Sequence, residues 1–294
     1  MLINKMIATG SEAGGGGLFE FTSQIFTTAL SAGVSGPSQA QIDAWYSGTT
    51  FIDQYLTVTG GIYSFTIPSD GDYIISCYGA VGGSTLETTT SGNGARIDGT
   101  FTFAEGDVIK FIVGQKGGQA TSASRGGGGG GASIVTDNLN NLLICAGGSG
   151  GSGNYAEGGL GQAGTSGTDG TIGSFGLGGT NGNGGGGSTY TGGGAGFLTD
   201  GEDGPSGGFG GHTFNNGGVG GAGTGGGGSG GFGGGGGAYA GAGGGGGYSG
   251  GGSGGWALAG IGGGGGSYNT GSSQFNYSGH PFANGNGQIT ITKV

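Results

Sequence analysis

The residues able to do chemistry are few: two histidines, two cysteines, 16 carboxylates and six cations in 294 positions. His212 and His280 each lie in a glycine- and asparagine-rich loop with no Cys or carboxylate cluster at ligand spacing, so neither marks a metal or acid–base centre. The stretch Thr199-Asp-Gly-Glu-Asp-Gly204 resembles a calcium loop at first sight. It has no bidentate Glu at the closing position and the wrong spacing, and reads as a solvated turn. Gly-x-Gly-x-x-Gly recurs through composition alone, and no copy follows a strand and opens a helix. Gly-Lys-Ser or Gly-Lys-Thr is absent, and no serine sits on a strand-to-helix elbow. The expectation is a non-enzymatic protein with no catalytic residues, no metal and no cofactor.

The cysteines lie in apolar, strand-like runs, Tyr73-Ile-Ile-Ser-Cys77 and Leu142-Leu-Ile-Cys145. One bridge between them is permitted. No export signal or membrane span is visible in the sequence, which favours buried free thiols. A net charge of −10 with six Lys plus Arg argues against nucleic acid and against an anionic membrane, both of which need clustered positive charge. The thinly spread carboxylates read as a solubility device.

What must position any functional group is dominated by glycine, which fills 94 positions, whereas charged residues make up 7%. Ordinary domains hold about 7% glycine and about 25% charge. The distribution is uneven: 19 glycines fall in residues 1–114 and 75 in 115–294. The first part has the alternation and turn punctuation of an antiparallel sandwich. Strands are expected over 55–59, 62–67, 72–78, 95–103, 108–113, 132–136 and 142–146. A short helix is expected over 38–46, with Ser38 as N-cap. The final eight residues alternate with Ile289 and Ile291 on one face. An isolated strand is not stable in water, so this one must return to the N-terminal sheets. That divides the chain into an attachment arm (1–20), a sandwich (21–146 plus 287–294) and an inserted glycine-rich region (147–286).

Glycine runs such as 126–131, 184–187, 233–237 and 243–247 suit neither an α-helix nor an ordinary strand, since each glycine costs about 0.5–1 kcal/mol relative to alanine. The threefold extended helix rises about 3.1 Å per residue and turns its amides and carbonyls outward, so bundles of such helices satisfy one another. Collagen is excluded by four prolines and frequent Gly-Gly-Gly-Gly, and calcium-binding β-helices by the lack of a repeated Asp register. Disorder is opposed by aromatic residues recurring between the runs. Core or edge packing is one use for them, and Phe232 between glycines suits an edge plug. Recognition by loops is the other, with Tyr155, Phe175, Tyr190, Phe214, Trp256 and Tyr268 as candidate receptor contacts.

Gly36-Pro-Ser-Gln-Ala-Gln-Ile-Asp43, Val58-Thr-Gly-Gly-Ile-Tyr-Ser-Phe-Thr-Ile-Pro68 and Gly71-Asp-Tyr-Ile-Ile-Ser-Cys-Tyr-Gly-Ala-Val-Gly-Gly83 form a distinctive series. Gly126-Gly-Gly-Gly-Gly-Gly-Ala-Ser-Ile-Val135 and Leu142-Leu-Ile-Cys-Ala-Gly-Gly148 continue it. The series resembles the glycine-rich module of phage tail-fibre proteins and of the ectodomains of the anaplastic lymphoma and leukocyte tyrosine kinase receptors. The resemblance implies a mainly β fold, a jelly-roll-like antiparallel sandwich with an inserted bundle of polyglycine II helices. It further implies a virion-surface adhesin at a tail-fibre tip. Its partners would be other virion proteins, through the N-terminal arm, and a host surface receptor or glycan. Fibre symmetry would make it a homotrimer. Neither nucleic acid nor membrane insertion is expected. The competing expectations are a capsid decoration or fibre protein without a receptor role, and a secreted receptor-type module.

Overall fold

The computed structural model describes residues 17–52, 54–256, 260–281 and 285–294. Eleven strands and one short helix are assigned among them. The strands are β1 (Ser23–Phe26), β2 (Leu56–Thr59), β3 (Ile62–Thr66), β4 (Gly71–Tyr78), β5 (Arg96–Phe103) and β6 (Val108–Ile112), followed by β7 (Ser133–Asp137), β8 (Leu142–Ala146), β9 (Tyr268–Asn269), β10 (Ser272–Tyr277) and β11 (Gln288–Lys293). The helix α1 spans Gln39–Trp45 between β1 and β2. Two sheets result, ordered β1-β11-β4-β5-β10 and β2-β3-β6-β7-β8-β9, and every pairing is antiparallel.

Alternation explains the main core. In β4, Tyr73, Ile75 and Cys77 are buried, and in β11 Ile289 and Ile291 are. Across from them Tyr63 and Phe65 of β3, Phe111 of β6 and Val135 of β7 close the space between the sheets. Phe26, Tyr46 and Phe51 fill the middle; Phe26 approaches Phe111 at 4.9 Å, and Phe111 stacks on Tyr63 at 4.8 Å. Such offset and edge contacts add to what burial alone contributes. The helix begins where expected, with Ser38 and Gln41 forming a reciprocal capping box. The terminal strand does return: β11 lies between β1 and β4, in register Ile289↔Cys77 and Ile291↔Ile75.

Two expectations change. Residues 268–277, expected within the glycine insertion, form β9 on the edge of one sheet and β10 on the edge of the other. Alternation is concealed there because all six residues of β10 are exposed. The packed glycine segments also reach beyond the inserted region 147–286. The connections 79–95 and 113–132 join them, for example through Gly83 N to Gly128 O (2.7 Å) and Gly118 N to Ser229 O (2.7 Å). Of the expected attachment arm, residues 1–16 lie outside the described residues. Leu18 N donates to Pro68 O, and Phe19 stacks on Tyr55 at 4.8 Å, so the arm's last residues belong to the sandwich.

The glycine segments hold one another by main-chain hydrogen bonds in closed rings. Gly127 N donates to Ser152 O, Gly151 N to Gly243 O and Gly243 N to Gly127 O, at 2.9–3.0 Å. Three residues along, Gly130 N donates to Ser149 O, Gly148 N to Gly246 O and Gly246 N to Gly130 O, at 2.8–2.9 Å. The residue numbers rise together in 127–130 and 243–246 and fall in 152–148, so the third segment runs against the other two. Further rings join Gly185, Gly194 and Glu202, and join Gly245, Gly251 and Gly263. A Cβ on Gly129 would collide with the carbonyl of Gly244, and one on Gly131 with that of Phe232. Glycine is required here because backbones touch.

A second, smaller core joins the two regions. Ile112, Ile134 and Cys145 point away from the sandwich interior, onto Phe197, Phe214 and Phe232 from the glycine-rich segments. The six-stranded sheet is therefore covered on both faces, which is why β7 reads as a continuous buried run. Phe232 is fully enclosed, in keeping with the plug expected of an aromatic between glycines. Cys77 and Cys145 are both buried free thiols, and burial pushes each thiol well above its ordinary pKa.

Candidate recognition surface

The glycine segments leave strand ends at Gly79, Gly114 and Gly147 and enter β7 through Gly131; their opposite ends gather a set of loops away from the sheets. Thr121 N bonds Gly226 O (2.8 Å), Thr88 Oγ1 donates to Asn154 O (2.6 Å) and Ser188 Oγ donates to Gly254 O (3.0 Å). Gly255 N reaches Thr171 O at 3.1 Å, and Gly241 N reaches Thr191 Oγ1 at 3.2 Å. This tip carries four of the six residues singled out in the sequence.

Trp256 is 70% exposed and meets Tyr190 edge-on at 5.5 Å. Tyr190 lies 5.8 Å from Tyr239, and the Arg125 guanidinium sits 4.2 Å over the Tyr239 ring. The order Arg125, Tyr239, Tyr190, Trp256 is a continuous aromatic row ending in a cation. Arg125 is fixed by donating from Nε to Gly225 O (2.9 Å) and from Nη2 to the Tyr239 hydroxyl (3.4 Å). Gly225 has a positive φ, and any Cβ there would enter the Tyr239 ring. Beside the row, the tight turn at Ile172 and Gly173 places both residues at positive φ, a conformation costly for a β-branched side chain. The following Phe175 is 41% exposed. Tyr155, 74% exposed, stands apart on the turn bridged by Gly153 and Ala156.

The other two candidates lie away from the tip, and for Phe214 the expectation is corrected. Phe214 is 2% exposed and packs on Phe197 at 6.3 Å in the smaller core. Its neighbours are Thr213, Asn215 and Asn216, but the outer face of β6 and β7 needs an apolar cover, and that requirement outweighs the polar context. Tyr268 belongs to β9 and stacks on Tyr248 at 4.7 Å, half-buried at the sheet edge. Conversely, Tyr239 and Arg125 are not among the residues that sequence reasoning selects. The available signal is Arg125 itself, one of six Lys plus Arg and placed directly before the run 126–131.

Several carboxylates elsewhere in the glycine-rich segments are committed to structure. Asp200 accepts from His212 Nδ1 (3.0 Å), Thr213 N (2.7 Å) and Asn216 Nδ2 (3.0 Å), tying two loops together. Burial pushes this carboxyl up, but those hydrogen bonds outweigh it and hold it below the usual range. Asp203 accepts from Gly210 N and Glu202 from Gly187 N, so the apparent calcium loop spreads its carboxylates over backbone amides. His280 packs against Tyr78 and Tyr277. Among the described residues no group of three or more His, Cys, Asp or Glu could hold a metal ion, and no helix is long and apolar enough to cross a membrane.

No family model matches the sequence. The chain is similar to the leukocyte tyrosine kinase receptor of Mus musculus, with 32% identity over 102 residues. The match covers 33% of this chain and 11% of the receptor, so the chain spans about a tenth of that relative's length. The match supports the likeness to the receptor over that third of the chain.

Proposed function

We propose that the protein is a non-enzymatic recognition module, a virion-surface adhesin at a fibre tip, which presents tip loops to a host surface receptor or glycan. The observation that carries this reading is the tip itself: Tyr155, Phe175 and Trp256 are exposed aromatics on loops braced by cross-bonded glycine segments. Exposed aromatics on a rigid support are the usual material of binding hot spots. In this reading the glycine segments are a bundle of polyglycine II helices. The recurrence of equivalent hydrogen-bond rings every three residues supports that assignment. The bundle makes the loops stiff, so little conformational entropy is lost on binding. The N-terminal arm docks on other virion proteins, and the likeness to a receptor is in keeping with a recognition role for this type of chain.

The test is direct. Purified protein should label susceptible cells and block phage adsorption, and Tyr155→Ala combined with Trp256→Ala should reduce both by more than tenfold without lowering the melting temperature. Protein that neither labels cells nor blocks adsorption would overturn the reading.

A further inference from the structure

We propose that the row Arg125, Tyr239, Tyr190 and Trp256 is a binding site for an oligosaccharide bearing an isolated carboxylate. The proposal rests on the tip being the contacting surface and names the class of ligand it takes.

Three observations carry it. First, the row offers an open ring at one end, the 70% exposed Trp256, with two half-buried tyrosines behind it. Aromatic faces bury the apolar C–H face of a pyranose while phenol hydroxyls reach its polar edge. Successive spacings of 4.2, 5.8 and 5.5 Å place the cation and the three rings one after another, so that a ligand on Trp256 and one on Arg125 would share the same row.

Second, the other end is a cation without a counter-charge. Among the described residues the ion pairs are Arg96 with Asp98 and His212 with Asp200; Arg125 makes neither. Its Nε and one Nη2 hydrogen are held by Gly225 O and the Tyr239 hydroxyl, which leaves further guanidinium N–H groups to donate. A guanidinium fork fixed in this way matches a carboxylate in geometry and charge. Arg125 also follows Thr121, Ser122 and Ser124, all exposed hydroxyl residues able to bond sugar hydroxyls.

Third, the whole chain carries a net charge of −10, which repels a densely charged polyanion. The ligand selected by one local cation on an acidic protein therefore has a single carboxylate among neutral sugars. Sulfated or phosphate-rich polymers are disfavoured.

The experiment uses the full chain against three immobilised sets: oligosaccharides ending in one sialic or uronic acid, the same compounds with the carboxyl reduced to an alcohol, and heparin. The expected result is saturable binding within the first set, weakened at least tenfold by carboxyl reduction, with heparin bound no better than neutral sugars. Trp256→Ala should lose at least tenfold. Arg125→Gln should lose at least tenfold on the acidic compounds and leave any residual binding to the reduced ones unchanged, with Arg125→Lys intermediate. Circular dichroism confirms that each variant keeps its fold. Absence of binding to every acidic member, or equal binding to the reduced forms, overturns the proposal. The adhesin reading is separately exposed. Cell labelling that persists after acidic glycans are stripped from the cells sinks this inference alone. Array binding without any cell labelling sinks the adhesin reading alone.

Discussion

In β4 the buried groups are Tyr73, Ile75 and Cys77, whereas in residues 126–131 they are the backbone itself, with no side chains at all. The sandwich is held by apolar side chains that fill the space between two sheets. The glycine segments are held by amides and carbonyls of neighbouring chains, brought together because nothing stands between them. The two regions should therefore respond oppositely to side-chain volume. Removing atoms should damage the first, and adding atoms should damage the second.

The largest effect is expected from the sandwich. Phe111 is fully buried against Phe26 and Tyr63, so Phe111→Ala should destabilise by about 3–5 kcal/mol, read from chemical denaturation. The converse change, Gly129→Ala, adds a single methyl where the carbonyl of Gly244 already lies. It should cost about 1–3 kcal/mol, an unusual penalty for so small a substitution. Gly164→Ala sharpens the contrast. Gly164 is exposed, has no positive φ and has no atom within 4 Å of where a methyl would stand, so alanine there should stabilise by about 0.4–1 kcal/mol. Equal responses at Gly129 and Gly164 would show that backbone contact is not what makes glycine necessary.

The smallest expected effect is on pH dependence. Burial raises the Asp200 and Asp137 carboxyls, but hydrogen bonds outweigh it and hold both below their ordinary values; Asp137 accepts from Asn141 and Leu139, with Lys110 nearby. A depressed folded pKa gives stability that is complete above the unfolded value, about 4, and lost as pH falls through the folded one. Amide protection relative to the unfolded chain around 137–141 and 198–216 should fall as pH drops below about 4, before protection in the central strands responds. Simultaneous loss everywhere would contradict this local role.

Legibility in the sequence follows the same division. Strands such as Leu142–Ala146 are visible because alternating or continuous apolar runs flanked by turn residues report directly on burial. The cap at Ser38 and the return of the last strand are equally plain. β10 is not, because Ser272–Tyr277 lies exposed on a sheet edge and carries no burial pattern. The glycine runs announce that backbones approach closely, but identical residues carry no register, so which run faces which cannot be read from them. Tyr190 and Trp256 can be picked out by type. Their meeting with Tyr239 and Arg125 depends on how runs far apart in sequence are aligned, and Phe214 shows that an aromatic in polar surroundings can still be drawn inward to cover a sheet.

The central claim is that the glycine segments are an ordered, hydrogen-bonded support for the tip. Amide hydrogen exchange over residues 126–131 and 243–247 tests it most directly. Gly127, Gly130, Gly243 and Gly246 all donate within closed rings, so they should be protected to the same extent as amides of β4 and β7. Exchange at these glycines at the rate of an unstructured chain, while β4 and β7 remain protected, would contradict the account.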